Sequence, residues 1–285
     1  MPRFLGADGL KIAAMERGPA DGQTVLLAHG GGQTHWAWRR TVDALADAGF
    51  HAIAIDLRGH GESEWAADGR YHHSAFAEDL IAITDQLGPN VAMVGASLGG
   101  IAGLIAEGQL RPGTFTSLTM VDITPRADPD GVERITNFMG RHVEHGFASP
   151  AEAAEAIAEY TPNREKRGPS DSLNRYLRKG ADGRFRWHWD PAFLDRINGP
   201  RVDEHGVLET AARNLKLPVH LIRGGSSDLV TPEAAAAFRE MVPHAKFTDI
   251  AGAGHMVVGD RNDAFSDAIV DFLSEHRIGQ SAPAA

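Results

Sequence analysis

The sequence contains no cysteine. Disulfide frameworks, cysteine nucleophiles, cysteine-ligated zinc and iron–sulfur clusters are therefore excluded for this chain. Basic residues are in the minority, because 28 lysines and arginines face 38 acidic residues and give a formal net charge of −10. A nucleic-acid-binding domain carries the opposite balance of charge, so we expect no nucleic-acid partner.

Long apolar runs are also missing. The longest stretch without a charged residue, 86–106, approaches membrane-spanning length, but Pro89, Asn90 and five glycines interrupt it. We interpret it as a buried strand, a turn and a buried helix, and expect no membrane partner. Asp8 and Lys11 interrupt the apolar residues at the start of the chain, so we expect no targeting segment and predict a cytoplasmic enzyme.

Short apolar runs alternate with helical patterns along most of the chain. The predicted strands are 25–28, 52–57, 91–95, 118–123, 219–222 and 247–250. The predicted helices are 36–48, 74–87, 98–109, 232–241 and 263–276. Strands without polar alternation, separated by helices, are typical of a mostly parallel sheet that is covered on both faces. A turn at 7–9 predicts a hairpin near the N-terminus.

The alternation stops between Thr124 and Arg213. This stretch is polar, contains scattered aromatic residues and has mostly helical periodicity. We interpret 124–213 as a cap inserted into one domain that spans 1–285, and expect it to cover the carboxyl edge of the sheet. The alternative is a second, independent domain. The last residues, 279–285, are predicted to form a loose tail.

A serine lies in a short glycine-rich motif between a predicted strand and a predicted helix. The motif is Gly95-Ala96-Ser97-Leu98-Gly99, which matches G-x-S-x-G. The pattern alone is weak, but a strand before it and a helix after it are the context of a nucleophile elbow. We therefore predict that Ser97 is a nucleophile, and the alternative is a glycine-rich packing turn.

A serine hydroxyl needs a base to remove its proton. Among the fourteen histidines, His255 follows the glycine-rich stretch 251–254, directly after the last predicted strand. Asp228 follows the strand before it and is the predicted acid, since the order serine, aspartate, histidine is that of nucleophile-elbow hydrolases. Asp122, at the end of the strand after the elbow strand, is the rival acid.

Together these motifs resemble the α/β-hydrolase fold superfamily over nearly the whole chain outside 124–213. The resemblance implies an eight-stranded, mostly parallel sheet flanked by helices, with an inserted and mainly helical cap. The motif at 29–32, His-Gly-Gly-Gly, is similar to the loop after the third strand that supplies one oxyanion donor in that family. It implies an oxyanion hole formed by the backbone amides of Gly31 and Leu98, with Gly32 as an alternative to Gly31.

The resemblance also bears on the surroundings of the site. The motif at 56–63, Asp-Leu-Arg-Gly-His-Gly-Glu-Ser, is similar to a structural turn of the family, and we assign it no chemistry. The substrate-binding candidates are Gly32, His35, Trp36, Trp187 and Trp189. Surface placement is the alternative for His35, and a place in the core of the cap is the alternative for the two later tryptophans.

The identity of the nucleophile limits the reaction. Haloalkane dehalogenases and epoxide hydrolases of this fold carry aspartate at the elbow, so Ser97 implies acyl transfer. We expect hydrolysis of a small or medium carboxylic ester through an acyl-enzyme, with a small-molecule substrate, no cofactor and no metal. The alternatives are carbon–carbon bond hydrolysis of a vinylogous diketone, a lactonase and a haloperoxidase-like perhydrolase. A non-catalytic ligand receptor is the alternative of another class.

Overall fold

The structure is a computed structural model and describes residues 3–160, 173–198, 204–254 and 263–278. The strands in these ranges are β1 (Arg3–Leu5), β2 (Lys11–Arg17), β3 (Thr24–Ala28), β4 (His51–Ile55), β5 (Ala92–Ala96), β6 (Leu118–Val121), β7 (Leu177–Lys179), β8 (Phe185–Trp187), β9 (Val219–Gly224) and β10 (Lys246–Ile250). The helices are α1 (Arg39–Asp47), α2 (His73–Leu87), α3 (Leu98–Ile105), α4 (Pro129–Gly140), α5 (Pro150–Tyr160), α6 (Pro191–Asn198), α7 (Glu204–Asn214), α8 (Pro232–Met241) and α9 (Asp263–Glu275).

Eight strands form one sheet in the order β1-β2-β4-β3-β5-β6-β9-β10. The pairs β1/β2 and β2/β4 are antiparallel, and the other neighbouring pairs are parallel. The expected eight-stranded, mostly parallel sheet is therefore confirmed, and it contains the six strands predicted from the apolar runs. The predicted turn at 7–9 joins β1 to β2, and it is closed by a hydrogen bond of 2.8 Å from the Gly6 amide to the Leu10 carbonyl.

The sheet is apolar on both faces because its central strands lack polar alternation. Val25 and Leu27 of β3 pack with Trp38 on the face covered by α1 and α9. Leu26, which points the other way, packs with Phe76 on the face covered by α2 and α3. This two-sided core fixes the strands that carry the predicted site residues.

The strand register brings the carboxyl ends of the parallel strands to one edge of the sheet. Ala28 of β3 pairs with Gly95 of β5. Val121 of β6 pairs with Ala96 of β5 and with Ile222 of β9. Residues that follow these strands therefore meet at this edge, although they are far apart in the sequence.

The chain between β6 and β9 leaves the sheet and forms α4, α5, a β7–β8 hairpin, α6 and α7. The periodicity of this stretch predicted mainly helices. The structure agrees except at the β7–β8 hairpin, which the sequence did not predict. Gly183 lies in its turn with a φ of +77°, a conformation that glycine adopts at low cost. Leu177 pairs with Trp187 across the two strands, and aromatic residues such as Trp187 favour strands.

Helix α7 lies within the predicted cap range but packs on the flank of the sheet. The Asn214 side-chain amide donates a 2.9 Å hydrogen bond to the Gly108 carbonyl, just after α3. A side chain on Gly108 would overlap the backbone of Ala211 in α7. The predicted tail at 279–285 lies outside the described residues. Among the helices that the structure describes, none is long and apolar enough to cross a membrane.

Candidate active site

Ser97 occupies the sharp turn between β5 and α3. Its φ of +44° and ψ of −112° are rare for a residue with a side chain, and such strained backbone clusters at functional sites. The Ser97 amide donates a 3.0 Å hydrogen bond to the Val121 carbonyl, which ties the turn to β6. Its side chain is partly exposed. The predicted strand–turn–helix context of this serine is therefore observed.

Two glycines beside Ser97 allow the turn to be this tight. A side chain on Gly95 would overlap the backbone of Gly99, and a side chain on Gly99 would overlap the backbone of Ala28 in β3. The two glycines of the G-x-S-x-G motif are therefore required by close packing, whatever chemistry Ser97 performs.

The oxyanion loop, which we define as residues 29–32, lies directly beside Ser97. The Gly99 amide donates a 3.2 Å hydrogen bond to the His29 carbonyl. A Cβ atom on Gly30 would lie 3.2 Å from the Ser97 Cβ. Among the described residues, the backbone amides of Gly31 and Leu98 have no hydrogen-bond acceptor. The two predicted oxyanion donors thus lie in the two segments that adjoin Ser97.

Asp122 follows β6 at the same edge, and its side chain is only 1% exposed. Its Oδ1 accepts a 2.9 Å hydrogen bond from the Gly224 amide, and its Oδ2 accepts a 2.6 Å hydrogen bond from the Ser227 hydroxyl. The backbone of Asp122 has a φ of +49°, a second strained residue near Ser97. A buried, rigidly oriented carboxylate of this kind suits the orientation of a catalytic imidazole.

Asp228 has different surroundings. Its side chain is 34% exposed and forms an ion pair with Arg134 of α4. A side chain on Gly131, in the same helix, would overlap the Asp228 backbone, so α4 packs directly on this loop. The carboxylate predicted as the acid is therefore engaged by an arginine of the segment between β6 and β9.

His255, the predicted base, lies outside the described residues. The chain leading to it is described as far as Gly254. A Cβ atom on Gly224 would lie 2.6 Å from the Gly254 carbonyl oxygen and 2.8 Å from that of Ala253. Gly224 is also the residue whose amide binds Asp122. The described chain before position 255 thus borders the same glycine as the Asp122 carboxylate.

Side chains from the segment between β6 and β9 cover the oxyanion loop. A Cβ atom on Gly31 would lie 3.6 Å from the Phe193 ring and 3.8 Å from the Met139 sulfur. A Cβ atom on Gly32 would lie 3.1 Å from Met139 and 3.3 Å from the Trp189 ring. Phe193 was not singled out by the sequence, because nothing in the pattern of α6 separates it from an ordinary core residue.

The two predicted substrate-binding tryptophans differ in their contacts. The rings of Trp187 and Trp189 are stacked with 5.0 Å between their centroids, and both side chains are buried. Trp187 packs edge-on against Phe147 and near Phe138. Trp189 instead reaches Gly32 of the oxyanion loop. Of the pair, Trp189 is therefore the one in contact with the candidate site.

His35 and Trp36, the other two side chains predicted to bind substrate, also differ in their surroundings. His35 is 1% exposed, and its Nδ1 lies 2.9 Å from Oδ1 of the buried Asp56. Trp36 is half-buried, and the Arg175 guanidinium stacks 4.0 Å above its ring centroid. His35 thus binds a buried carboxylate, whereas Trp36 retains an accessible surface that is partly covered by an arginine.

Three buried histidines, one of them in the oxyanion loop, lie next to one another below this loop. Burial lowers the pKa of His29 to about 3 and the pKa of His60 to about 4. Burial also lowers the pKa of His188 well below its ordinary value. Desolvation disfavours the charged imidazolium, so these rings are neutral near pH 7. Within the described residues, no group of three acidic or histidine side chains is arranged to hold a metal ion.

Comparison with known proteins finds relatives over most of the chain. Residues 25–268 match the model of the Alpha/beta hydrolase family. An esterase of Mycobacterium tuberculosis is 29% identical over 251 residues, which cover 86% of this chain and 80% of the esterase. Epoxide hydrolase A of the same organism is 34% identical over an alignment of 316 positions, gaps included, that covers 95% of this chain and 97% of that enzyme.

A solved structure is similar over nearly the full length. The crystal structure of E-2-(acetamidomethylene)succinate hydrolase superposes with a TM-score of 0.83. The match covers 96% of this chain and 98% of that chain at 24% sequence identity. Identity at this level shows a shared fold, and the substrate of that enzyme is not carried over.

Proposed function

Because the chain belongs to the alpha/beta hydrolase family and is a hydrolase, we propose that it cleaves a small or medium carboxylic ester through an acyl-enzyme on Ser97. The observation that carries the proposal is the position of Ser97 at a strained turn, beside the amides of Gly31 and Leu98, for which the described part of the chain supplies no acceptor. A serine at this position favours acyl transfer over the alkyl transfer to aspartate that the resemblance implies for epoxide hydrolases.

The proposed reaction has two halves. The Ser97 oxygen attacks the acyl carbon while the His255 imidazole accepts the serine proton. The amides of Gly31 and Leu98 stabilise the negative charge that develops on the carbonyl oxygen. The imidazolium then protonates the leaving alcohol, and water attacks the acyl-enzyme by the same route and releases the acid and free Ser97. In this scheme His255 remains a prediction from the sequence.

For the orienting acid, the described contacts favour Asp122 over Asp228, and we propose Asp122. An acid of this kind needs burial and a fixed orientation, and Asp122 has both, through Gly224 and Ser227. Asp228 is one-third exposed and lies against the Arg134 guanidinium, so it lacks the burial that Asp122 has. The prediction of Asp228 from the sequence stays untested, and paired variants decide between the two carboxylates.

We propose that the segment 124–213 acts as a cap in a single domain of 1–285. The support is the cover that Met139, Phe193 and Trp189 provide over the oxyanion loop. Apolar side chains at this place exclude water from the acyl group and strengthen the hydrogen bonds to the developing oxyanion. We further propose a small-molecule substrate, no metal or cofactor in the reaction, and a cytoplasmic location.

The test is a panel of substrates with matched serine variants. We expect the parent to hydrolyse p-nitrophenyl esters and the Ser97→Ala variant to lose at least about a thousandfold in kcat/KM. Ser274→Ala, an exposed serine on α9, is the matched control and should keep the parent rate. Comparable loss in both variants, or full activity in Ser97→Ala, contradicts the proposal.

The same panel separates the alternatives. A vinylogous diketone, a lactone and peroxide-dependent halogenation report on the carbon–carbon hydrolase, lactonase and perhydrolase activities. Each of these reactions uses the same nucleophile, so the preferred reaction is the one with the highest kcat/KM. Saturable binding of an ester without turnover supports the ligand receptor instead.

A further inference from the structure

His188, in the loop after β8, bridges two backbone segments at the base of the candidate site. Its Nδ1 accepts a 2.7 Å hydrogen bond from the Gly61 amide. Its Nε2 lies 3.2 Å from the carbonyl oxygen of Gly32 in the oxyanion loop. The ring is 2% exposed, the bond from Gly61 is buried, and the bond to Gly32 is partly buried.

The two backbone partners dictate the protonation of the ring. The backbone N–H of Gly61 can only donate a hydrogen bond, so the Nδ1 atom that accepts it carries no proton. The proton is then on Nε2, which donates to the Gly32 carbonyl. Neutral His188 therefore satisfies both partners at once, and neither of its ring nitrogens is left for acid–base chemistry.

The oxyanion loop needs such support because of its composition. Its three consecutive glycines have more backbone freedom than any other residue type, and that freedom must be removed before an amide can be held in one direction. The loop forms a β-turn closed by a 3.1 Å hydrogen bond from the Gln33 amide to the Gly30 carbonyl. Gly31 and Gly32 are its central residues, and Gly32 has a φ of +73°.

The contacts within the turn hold Gly30 rather than Gly32. The Gly30 amide donates to the Gln33 side chain at 3.1 Å, and the His29 Nδ1 lies 2.7 Å from the Gly30 carbonyl. Within the described residues, the carbonyl of Gly32 is instead reached by the hydrogen bond from His188. It comes from the segment between β6 and β9, so that segment fixes the loop as well as covering it.

The loop that carries His188 is itself firmly anchored. The Asp190 amide donates a 2.9 Å hydrogen bond to the Gly59 carbonyl. The Asp190 carboxylate accepts a 2.6 Å hydrogen bond from the Tyr71 hydroxyl. These bonds attach residues 188–190 to the turn at 56–63 and give the imidazole a fixed base from which to hold Gly32.

From this geometry we propose that His188 is a positioning residue: its bond to the Gly32 carbonyl fixes the far side of the glycine turn, while the Gly30 carbonyl, in the same peptide as the Gly31 amide, is held within the turn. The proposal rests on the proposed acyl-transfer function for its effect on rate, but the hold on the loop is independent of that function. His188 touches neither the nucleophile nor the substrate in this account. Its contribution is the preorganisation of a donor, which favours the transition state over the ground state.

Two substitutions separate the two hydrogen bonds of the ring. In His188→Gln, the side-chain amide reaches the place of Nε2 and can still donate to the Gly32 carbonyl. In His188→Asn, the side-chain oxygen takes the place of Nδ1 and can still accept from Gly61, but the bond to Gly32 is lost. Phe272→Leu is the matched control, because it removes buried packing from α9 on the other face of the sheet and leaves residues 188–190 and the oxyanion loop intact.

The first measurement is kcat and KM on a p-nitrophenyl ester, with thermal melts of each variant. We expect His188→Asn to lose about 10- to 100-fold in kcat with little change in KM. We expect His188→Gln to recover most of that loss and Phe272→Leu to lower Tm while keeping the parent kcat. Equal kcat in the Asn and Gln variants, with losses that follow Tm, overturns the positioning role.

The second measurement is hydrogen exchange of the peptide that contains residues 29–34, which needs no turnover. We expect the amides of this peptide to exchange faster in His188→Asn than in His188→Gln or Phe272→Leu. Equal exchange in the three variants overturns the hold on the loop. If the parent enzyme itself shows no turnover, the proposed function has failed, and the exchange comparison still decides whether His188 holds Gly32.

Discussion

The Oδ1 atom of Asp122 lies 2.9 Å from the backbone nitrogen of Gly224, which donates a hydrogen bond to it. Asp122 follows β6 and Gly224 ends the neighbouring β9, so the bond crosses between two strand ends at the candidate site. Gly224 also borders the carbonyls of Ala253 and Gly254, the last described residues before position 255. One glycine therefore connects the buried carboxylate to the chain that leads to the predicted base.

This relationship yields a prediction for the acid. Asp122→Asn keeps the shape of the side chain but removes the charge that stabilises an imidazolium, so we expect kcat to fall by about 10⁴-fold. Asp228→Asn breaks an exposed ion pair with Arg134, and we expect a loss below about tenfold. Steady-state kinetics on a p-nitrophenyl ester, with melting curves as the control for folding, measure both. A larger loss of kcat in Asp228→Asn than in Asp122→Asn would instead identify Asp228 as the orienting acid.

The buried histidines predict a loss of stability in acid. An unfolded histidine has a pKa of about 6.5, whereas burial lowers the pKa of His60 to about 4 and that of His29 to about 3. As pH falls from about 6.5 toward 4, the unfolded chain binds more protons than the folded chain. The free energy of unfolding therefore decreases, by up to about 1.4 kcal/mol per pH unit for each such histidine.

Urea unfolding between pH 7.5 and 4.5 tests this directly. In His60→Asn, the side-chain amide can donate to the Arg58 carbonyl as Nδ1 does, and the titrating ring is gone. We expect the dependence of the unfolding free energy on pH to weaken by about one proton in this variant. His145→Asn, at an exposed position, is the matched control. Identical pH dependence in the parent and His60→Asn contradicts the explanation.

Alanine substitutions at the two stacked tryptophans, Trp187 and Trp189, are expected to have different effects. Trp189 contacts Gly32, so Trp189→Ala should change the ratio of kcat/KM between long and short acyl esters. Trp187 packs with Phe147 and Phe138, so Trp187→Ala should mainly lower stability, by about 3–5 kcal/mol, and keep the parent ratio. An ester series from acetate to octanoate, combined with melting curves, separates the effects. Equal acyl preferences in the two variants contradict the assignment of Trp189 to the pocket.

Local features were readable from the sequence. The turn at Ser97 was predictable because its requirements are met within five residues, where Gly95 and Gly99 remove the side chains that would clash. The central strands were predictable because their apolar runs lack alternation, which is the pattern of a sheet buried on both faces. The hairpin at 7–9 was likewise marked by its own turn residues.

Long-range partners were not readable in the same way. His188 binds backbone groups of Gly61 and Gly32, which lie 127 and 156 positions earlier in the chain. Almost every residue type carries the same backbone amide and carbonyl, so no pattern in the sequence marks these partners. The choice between Asp122 and Asp228 also depends on burial and on Arg134, which only the packing of α4 on the sheet edge reveals.

Covalent trapping of the nucleophile tests whether Ser97 forms the acyl-enzyme. A p-nitrophenyl alkylphosphonate reacts with an activated serine, releases p-nitrophenol and leaves a phosphonate ester that intact-mass and peptide-fragmentation spectra locate. We expect one adduct per chain on Ser97, loss of esterase activity in proportion to labelling, no adduct in Ser97→Ala and full labelling in Ser274→Ala. An adduct on another residue, or an active enzyme that carries a full equivalent of phosphonate, contradicts it.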